Sequence, residues 1–275
     1  MVKNIMTVDL EDYFCDLPFE RWEEFEGRVI ENTEIILELF EKHNVKATFF
    51  TLGYIGEKYP ELIKKIYDSG HEIGSHSYAH IDLRKISKDD FEKDFHKAKN
   101  ILEQIINEKI EGFRAPFFSI NKTNSWILEI LSKNLSYDSS IFPVKTNLYG
   151  VPDAPRTAYK PNFSDITRNN PNGKLVEIPL ATIKIPIIGN IPIAGGFYLR
   201  FFPYWFIKFG INRLNKKGIP AMFYIHPKDL DSKMPRIKEY NWIYYHNLKS
   251  AKKKFEKILK NFEFGTAKEI IIQQK

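Results

Sequence analysis

The chain has a single cysteine, Cys15, among its 275 residues. No internal disulfide can form, so the fold must stand on packing, and Cys15 reads as a small buried hydrophobe. No run approaches the roughly 18 uninterrupted apolar residues of a spanning helix. Residues 197–211 are nevertheless unusually aromatic, which leaves contact with a membrane surface open. The opening MVKNIMTVDLEDYF enters a strand-like run without the charged, apolar and small-residue succession of a secretory leader. A cytoplasmic location, with membrane association allowed, is the expectation. Charge of one sign is not gathered into a block either: the net charge is +6 and the pI about 9.0, with Lys and Glu mixed along the chain. That pattern describes a solvated, lysine-rich surface. No nucleic-acid partner is expected, because no helix-turn-helix, zinc-finger or RNA-binding signature accompanies the charge.

A hydrophobic content of 43% with 15% aromatics is enough for a sizeable core and argues against disorder. Strand-like runs at Asn4 to Val8, Ala47 to Leu52, His71 to Gly74, Gly112 to Ala115 and Ala221 to Ile225 alternate with segments of helical period. Shorter strand candidates lie at Leu175 to Ile178 and Thr182 to Ile185. Helices are expected at Val29 to Lys42, Glu61 to Asp68, Pro203 to Asn215 and Lys249 to Lys260. Another starts at Ser87 with Asp90 three positions on and continues through Phe91, Phe95, Ala98, Leu102 and Ile105. Alternation of this kind builds βα units around a parallel sheet. The Pro-, Asn- and Gly-rich stretch from about 143 to 200 reads as an irregular β insertion.

In a barrel of parallel strands, catalytic groups come from the C-terminal strand ends, and four candidate strands here end in unusual chemistry. Asp9, Glu11 and Asp12 follow the first; His76 and His80 follow the third; Arg114 and His226 follow two others. Four apart in HSYAH, the two histidines project from one face of a helical turn and can grip one ion, with a carboxylate from the first strand completing a facial site. In an extended strand Asp9 and Glu11 share a side, so one can hold metal while the other accepts a proton. His226, before Pro227, can donate a proton to a leaving amine. Arg114 can orient a carboxylate or make a structural ion pair. The aromatic stretch around Tyr198 reads as core, as a sugar-stacking wall, or as a membrane-resting face.

Taken together, TVDLED, HSYAH, FRAPFF, YDSS and FYIHP stand in the order of the five motifs of the polysaccharide deacetylases. The sequence resembles that family, carbohydrate esterase family four, with its nodulation-type and chitin deacetylases. TVDLEDYF, GGFYLRFFPYW and FYIHPKDLD are similar to the subgroup found with bacterial exopolysaccharide loci. The resemblance runs from about residue 4 to 265, which implies one catalytic domain over 1–275: a distorted (β/α) barrel with about seven parallel strands. It also implies a divalent metal, commonly zinc, with cobalt, manganese or nickel as substitutes, held by an acid and two histidines. On this sequence Asp9 becomes the base that activates the attacking water, His76 and His80 the ligands, and His226 the general acid. Arg114 would orient Asp9. Asp138 of YDSS would contribute to the pocket or to the orientation of His226, and a backbone amide near Phe117 would point at the oxyanion.

The common first motif has two adjacent aspartates, whereas Leu10 follows Asp9 here. The third ligand is therefore Glu11 or Asp12, and Glu11 is favoured because related deacetylases acting on lipid-linked sugars show an acid-x-acid spacing. The implied activity is removal of an acetyl group from an N-acetylated oligosaccharide, polysaccharide or lipid-linked sugar. Hydrolysis of another amide, ureide or formyl C–N bond, and a noncatalytic carbohydrate-binding barrel, are the rival readings.

Overall fold

A computed structural model describes residues 2–273, with side chains through residue 271. The strands are β1 (Asn4–Leu10), β2 (Thr48–Thr51), β3 (Glu72–Ser75), β4 (Gly112–Phe113), β5 (Tyr137–Asp138), β6 (Pro161–Asn162), β7 (Asp165–Asn169), β8 (Val176–Glu177), β9 (Thr182–Ile185), β10 (Gly189–Pro192), β11 (Met222–Ile225) and β12 (Phe264–Gly265). The helices are α1 (Val29–Lys42), α2 (Gly53–Lys58), α3 (Pro60–Asp68), α4 (Lys88–Ile106), α5 (Trp126–Asn134), α6 (Gly196–Phe201), α7 (Tyr204–Asn215), α8 (Trp242–Tyr245), α9 (Leu248–Asn261) and α10 (Ala267–Gln273). One sheet has the order β11-β1-β2-β3-β4-β5-β8, with β12 also against β1. Its seven parallel strands and their surrounding helices form a distorted (β/α) barrel. The stretch expected to be irregular holds two antiparallel hairpins, β6–β7 and β9–β10, besides β8.

The chain separates into two compact units. The first comprises the residues up to Phe49, Gly70–Glu72, and the residues from Ile193 onward. All seven residues of β1 and all four of β11 are buried, which is why β11 reads as a continuous apolar run and β1 carries apolar residues on both faces instead of alternating. Their register pairs Ile5 with Met222 and Val8 with Ile225. The next residue on each strand, Asp9 and His226, is thereby brought to the same strand end. Unlike the expected strand, β1 runs on to Leu10, and it closes with a tight turn in which Glu11 N donates to Asp9 O at 3.1 Å. α1 buries Val29, Ile36, Leu37 and Phe40, the face its spacing predicts.

The second unit comprises Phe50–Ser69 and Ile73–Pro192. Its registers pair Ser75 with Phe113 and Phe113 with Asp138, so His76, Arg114 and Ser139 emerge at neighbouring strand ends. α4 begins where Ser87 accepts from Asp90 N at 3.2 Å. It buries Phe91, Phe95, Ala98 and Leu102, then Ile106 in place of the expected Ile105. α2 crosses α4 closely because residue 53 is glycine; a Cβ there would press on Ala98 and on the Tyr78 ring. Among the described residues no helix is long and apolar enough to cross a membrane.

Candidate active site

In the first unit the acids after β1 take separate tasks. The Asp12 carboxylate accepts from Tyr13 N at 2.8 Å, Arg28 N at 2.7 Å and Val29 N at 2.9 Å. It therefore serves the start of α1, where backbone donors lack helical partners. Asp9 and Glu11, both buried, face His226: its Nε2 lies 4.0 Å from Asp9 Oδ2 and 3.8 Å from Glu11 Oε1. Lys228 Nζ donates to Glu11 Oε1 at 2.7 Å and to Asp16 Oδ2 at 2.9 Å. Burial alone would lower the Lys228 pKa, but Asp16 and Glu11 hold it well above the ordinary value, so a charged ammonium steadies Glu11.

His226 has its own orienting partner. Its Nδ1–H donates to Asp229 Oδ2 at 2.8 Å, and Asp229 Oδ2 also accepts from His226 N at 2.9 Å. Arg200 Nε donates to Asp229 Oδ1 at 3.0 Å, while Arg200 Nη1 reaches the carbonyls of Ile243, Tyr244 and His246. Burial by itself would raise the Asp229 carboxyl, but His226 and Arg200 keep it far below the usual carboxylate range. Burial pulls His226 down, and the Asp229 carboxylate overrides it to leave the imidazolium favoured above its ordinary pKa. Position 196 has to be glycine, since a Cβ there would overlap the Asp229 carboxylate. Tyr198 is only 8% exposed, with its ring stacked on Phe202 at 6.0 Å. It sits in an aromatic layer and not on an open wall.

In the second unit HSYAH departs from the expected helical turn: it is a loop in which Ser77 (φ 64°) and His80 (φ 52°) are left-handed. Such backbone is uncommon outside glycine, and neighbours hold it in place. Gly53 N and Tyr54 N donate to the carbonyls of Ser77 and Tyr78 at 2.8 and 3.1 Å. Asp94 on α4 accepts from Tyr78 N at 2.9 Å, and Lys97 sits 3.4 Å over the Tyr78 ring. His76 Nδ1 lies 2.7 Å from the Arg114 carbonyl. A carbonyl only accepts, so Nδ1 carries the proton and Nε2 keeps its lone pair for a ligand role. His80 packs against Phe117 with ring centroids 4.4 Å apart, and Phe117 is itself left-handed at φ 56°.

Arg114 is fully buried. Its Nε donates to Ser139 O at 3.0 Å and its Nη2 to Ser139 Oγ at 2.9 Å, with Phe50 stacked 4.3 Å away. The same YDSS segment supplies Ser140, whose hydroxyl donates to Asp138 Oδ1 at 2.6 Å. Asp138 is not exposed as a pocket wall. It lies opposite Glu177 in the register of β5 and β8, and both side chains are fully buried. Burial pushes Asp138 up to about 6 and, with Asp138 beside it, Glu177 well above its ordinary value.

Burial thus favours the protonated form of both carboxyls of the Asp138–Glu177 pair, and the neighbouring Asp138 favours it further at Glu177. Both folded pKa values exceed the unfolded ones, so the pair's stabilisation is complete below about pH 4. That stabilisation is lost as the pH rises through about 6 and beyond. We expect the thermal midpoint of Glu177→Gln to fall less than that of the parent protein between pH 6 and 9, followed by calorimetry. Parallel curves would show that the pair carries no proton.

Glu11, His76 and His80 are buried, and each offers one ligand atom within 4.8 Å of the other two. Two imidazoles and one carboxylate suit zinc and other first-row divalent ions and leave positions for water and a substrate oxygen. With Asp12 engaged by backbone donors and the His76 tautomer set by Arg114, the donor set fits a metal; this triad can hold one. Asp229, Arg200, Lys228 and Asp16 escaped the sequence reading, and the only local signal was an acid three residues after His226.

Residues 24–133 match the family model described as polysaccharide deacetylase, and residues 139–272 match one described as a domain of unknown function (DUF3473). The first match contains His76, His80 and Arg114, the second Tyr198 and His226; Asp138 falls between the two, and Asp9 and Glu11 precede both. A peptidoglycan-N-acetylglucosamine deacetylase of Bacillus cereus is 38% identical over 95 residues, 34% of each chain. A chitin deacetylase of Arthroderma benhamiae is 34% identical over 106 residues, 37% of this chain and 28% of that one. The matched stretch spans about a third of these relatives' length. Among solved structures, a Mycobacterium smegmatis protein assigned as a polysaccharide deacetylase superposes with a TM-score of 0.62 at 17% identity, covering 100% of this chain and 91% of that one. The Bc1960 peptidoglycan N-acetylglucosamine deacetylase gives a TM-score of 0.54 at 19% identity, covering 97% and 86%. At these identities the structures speak for the fold alone. Over residues 24–133, the chain is similar to the polysaccharide deacetylase family.

Proposed function

We propose that the protein is a metal-dependent hydrolase that removes N-acetyl groups from the sugars of a polysaccharide or lipid-linked glycan, acting as a single catalytic domain over residues 1–275. The observation that carries this reading is the buried Glu11, His76 and His80 triad, with Asp9 in the same unit as Glu11 and beside His226. A divalent ion bound there, zinc by donor type, supplies Lewis acidity toward the amide carbonyl and acidifies water. Asp9 takes the proton of the attacking water. His226, held by Asp229, delivers a proton to the departing nitrogen. Arg114 orients Asp9, and Lys228 holds Glu11 in place through its hydrogen bond to Oε1. The products are acetate and a free amino sugar.

The test is acetate release from a panel of N-acetylated glucosamine and galactosamine oligomers, with formyl and ureide compounds alongside. Release from at least one N-acetyl sugar, and none from the formyl and ureide compounds, is expected. Turnover confined to the latter would transfer the chemistry to another C–N bond. Sugar binding without turnover under any divalent metal would make the chain a noncatalytic carbohydrate-binding barrel.

A further inference from the structure

No Asp or Glu occurs between Glu177 and Asp229, and part of that acid-free stretch forms α6 and α7 on the surface of the first unit. Trp205 and Phe209, one turn apart on α7, are 68% and 49% exposed; Phe201 at the end of α6 is 50% exposed and Trp242 on α8 is 61% exposed. Single exposed rings are ordinary, but these are joined. Trp242 meets His246 at 5.4 Å, His246 meets Phe201 at 6.1 Å, Phe201 meets Phe202 at 5.5 Å, Phe202 meets Phe206 at 4.8 Å, and Phe206 meets Trp205 at 5.8 Å. The result is a continuous aromatic strip.

Cations border that strip. The outward face of α7 continues from Phe209 to Arg213, and the chain leaves the helix through exposed Lys216 and Lys217. α9 lies alongside: Tyr204 Oη donates to the Lys257 carbonyl and Lys208 Nζ to Asn261 Oδ1, each at 3.5 Å. α9 exposes Lys249, Lys252, Lys253, Lys257 and Lys260. Its one acid, Glu256, is already engaged by Lys42 at 2.7 Å. Tryptophan and phenylalanine at one level, flanked by uncompensated lysine and arginine, match the interfacial zone of a bilayer with anionic headgroups. A neutral glycan would stack on the rings and leave the cations without a role.

We propose that the α6–α7 face, bordered by α9, docks the protein on the surface of an anionic lipid bilayer. The rings enter the headgroup boundary, and the lysines and arginine meet lipid phosphates. The proposal stands apart from the chemistry of the active site and does not depend on it.

Flotation of the full chain with vesicles of phosphatidylcholine, with and without phosphatidylglycerol, tests it. The protein should float with the phosphatidylglycerol vesicles and come off them in high salt, since surface attraction is screened. Removal of one cation near an anionic surface weakens binding about fivefold, so Lys216→Glu with Lys217→Glu should lower partition at least tenfold. Trp205→Ser with Phe209→Ser should do the same without any change of charge. Failure to float with phosphatidylglycerol vesicles, equal flotation with both lipid compositions, or partition that survives either double substitution would overturn the proposal.

Discussion

His76→Ala is expected to strip the protein of its metal and to lower acetate release by about a thousandfold or more, the scale set by several kcal/mol of charge stabilisation in the transition state. The argument lies in how the imidazole is held. His76 follows β3, its backbone N–H donates to Thr51 O at 2.9 Å, and its Nδ1 is committed to the Arg114 carbonyl at 2.7 Å. Only Nε2 remains to face a ligand, and alanine has nothing to put in its place. His76→Gln separates packing from coordination, because it restores polar bulk but not an imidazole lone pair. Metal analysis beside an acetate assay reads both effects. An alanine variant that keeps a full equivalent of metal and parental turnover would remove His76 from the site.

The second large effect is expected from Asp229→Asn. Loss of a partner that orients a catalytic imidazole costs on the order of 10- to 100-fold, so turnover should fall by about that factor while KM moves little. The pH profile distinguishes this from plain structural damage. In the parent, Asp229 holds the His226 imidazolium above its ordinary pKa against the opposing pull of burial, and an acid must be protonated to act. Activity is therefore lost as pH rises through that pKa. With asparagine at 229 the largest opposing influence is gone and Glu11 remains to favour the charged ring, so the basic limb of kcat/KM should shift to lower pH. Stability should change less, because Arg200 keeps three backbone carbonyl acceptors. A uniform drop in rate with an unmoved basic limb would assign Asp229 a structural task only.

Much of the barrel was legible from the alternation of apolar runs with helical periods. The 29–42 helix and the 182–185 strand lie where their spacing puts them, because burial of one helix face and strand-rich composition act locally. HSYAH was misread as a helical turn, since nothing local announces left-handed backbone at Ser77 and His80; Gly53, Tyr54 and Asp94 impose it from elsewhere in the fold. The partners of His226 and Glu11 escaped for a similar reason. Arg200 reaches Asp229 from 29 positions away and Lys228 reaches Glu11 from 217 positions away, distances that periodicity does not encode. The Asp138–Glu177 pair depends on the register of β5 with β8; the strand at 175–178 was legible, but its pairing with β5 across the intervening irregular stretch was not.

The measurement that bears most directly on the central claim is acetate release followed while chelator-treated protein is titrated with zinc, and in parallel with cobalt. Release that is absent without metal, rises linearly and saturates at one equivalent per chain is the expected result. Undiminished release from fully chelated protein, or none at any metal concentration with an N-acetyl sugar, would contradict it.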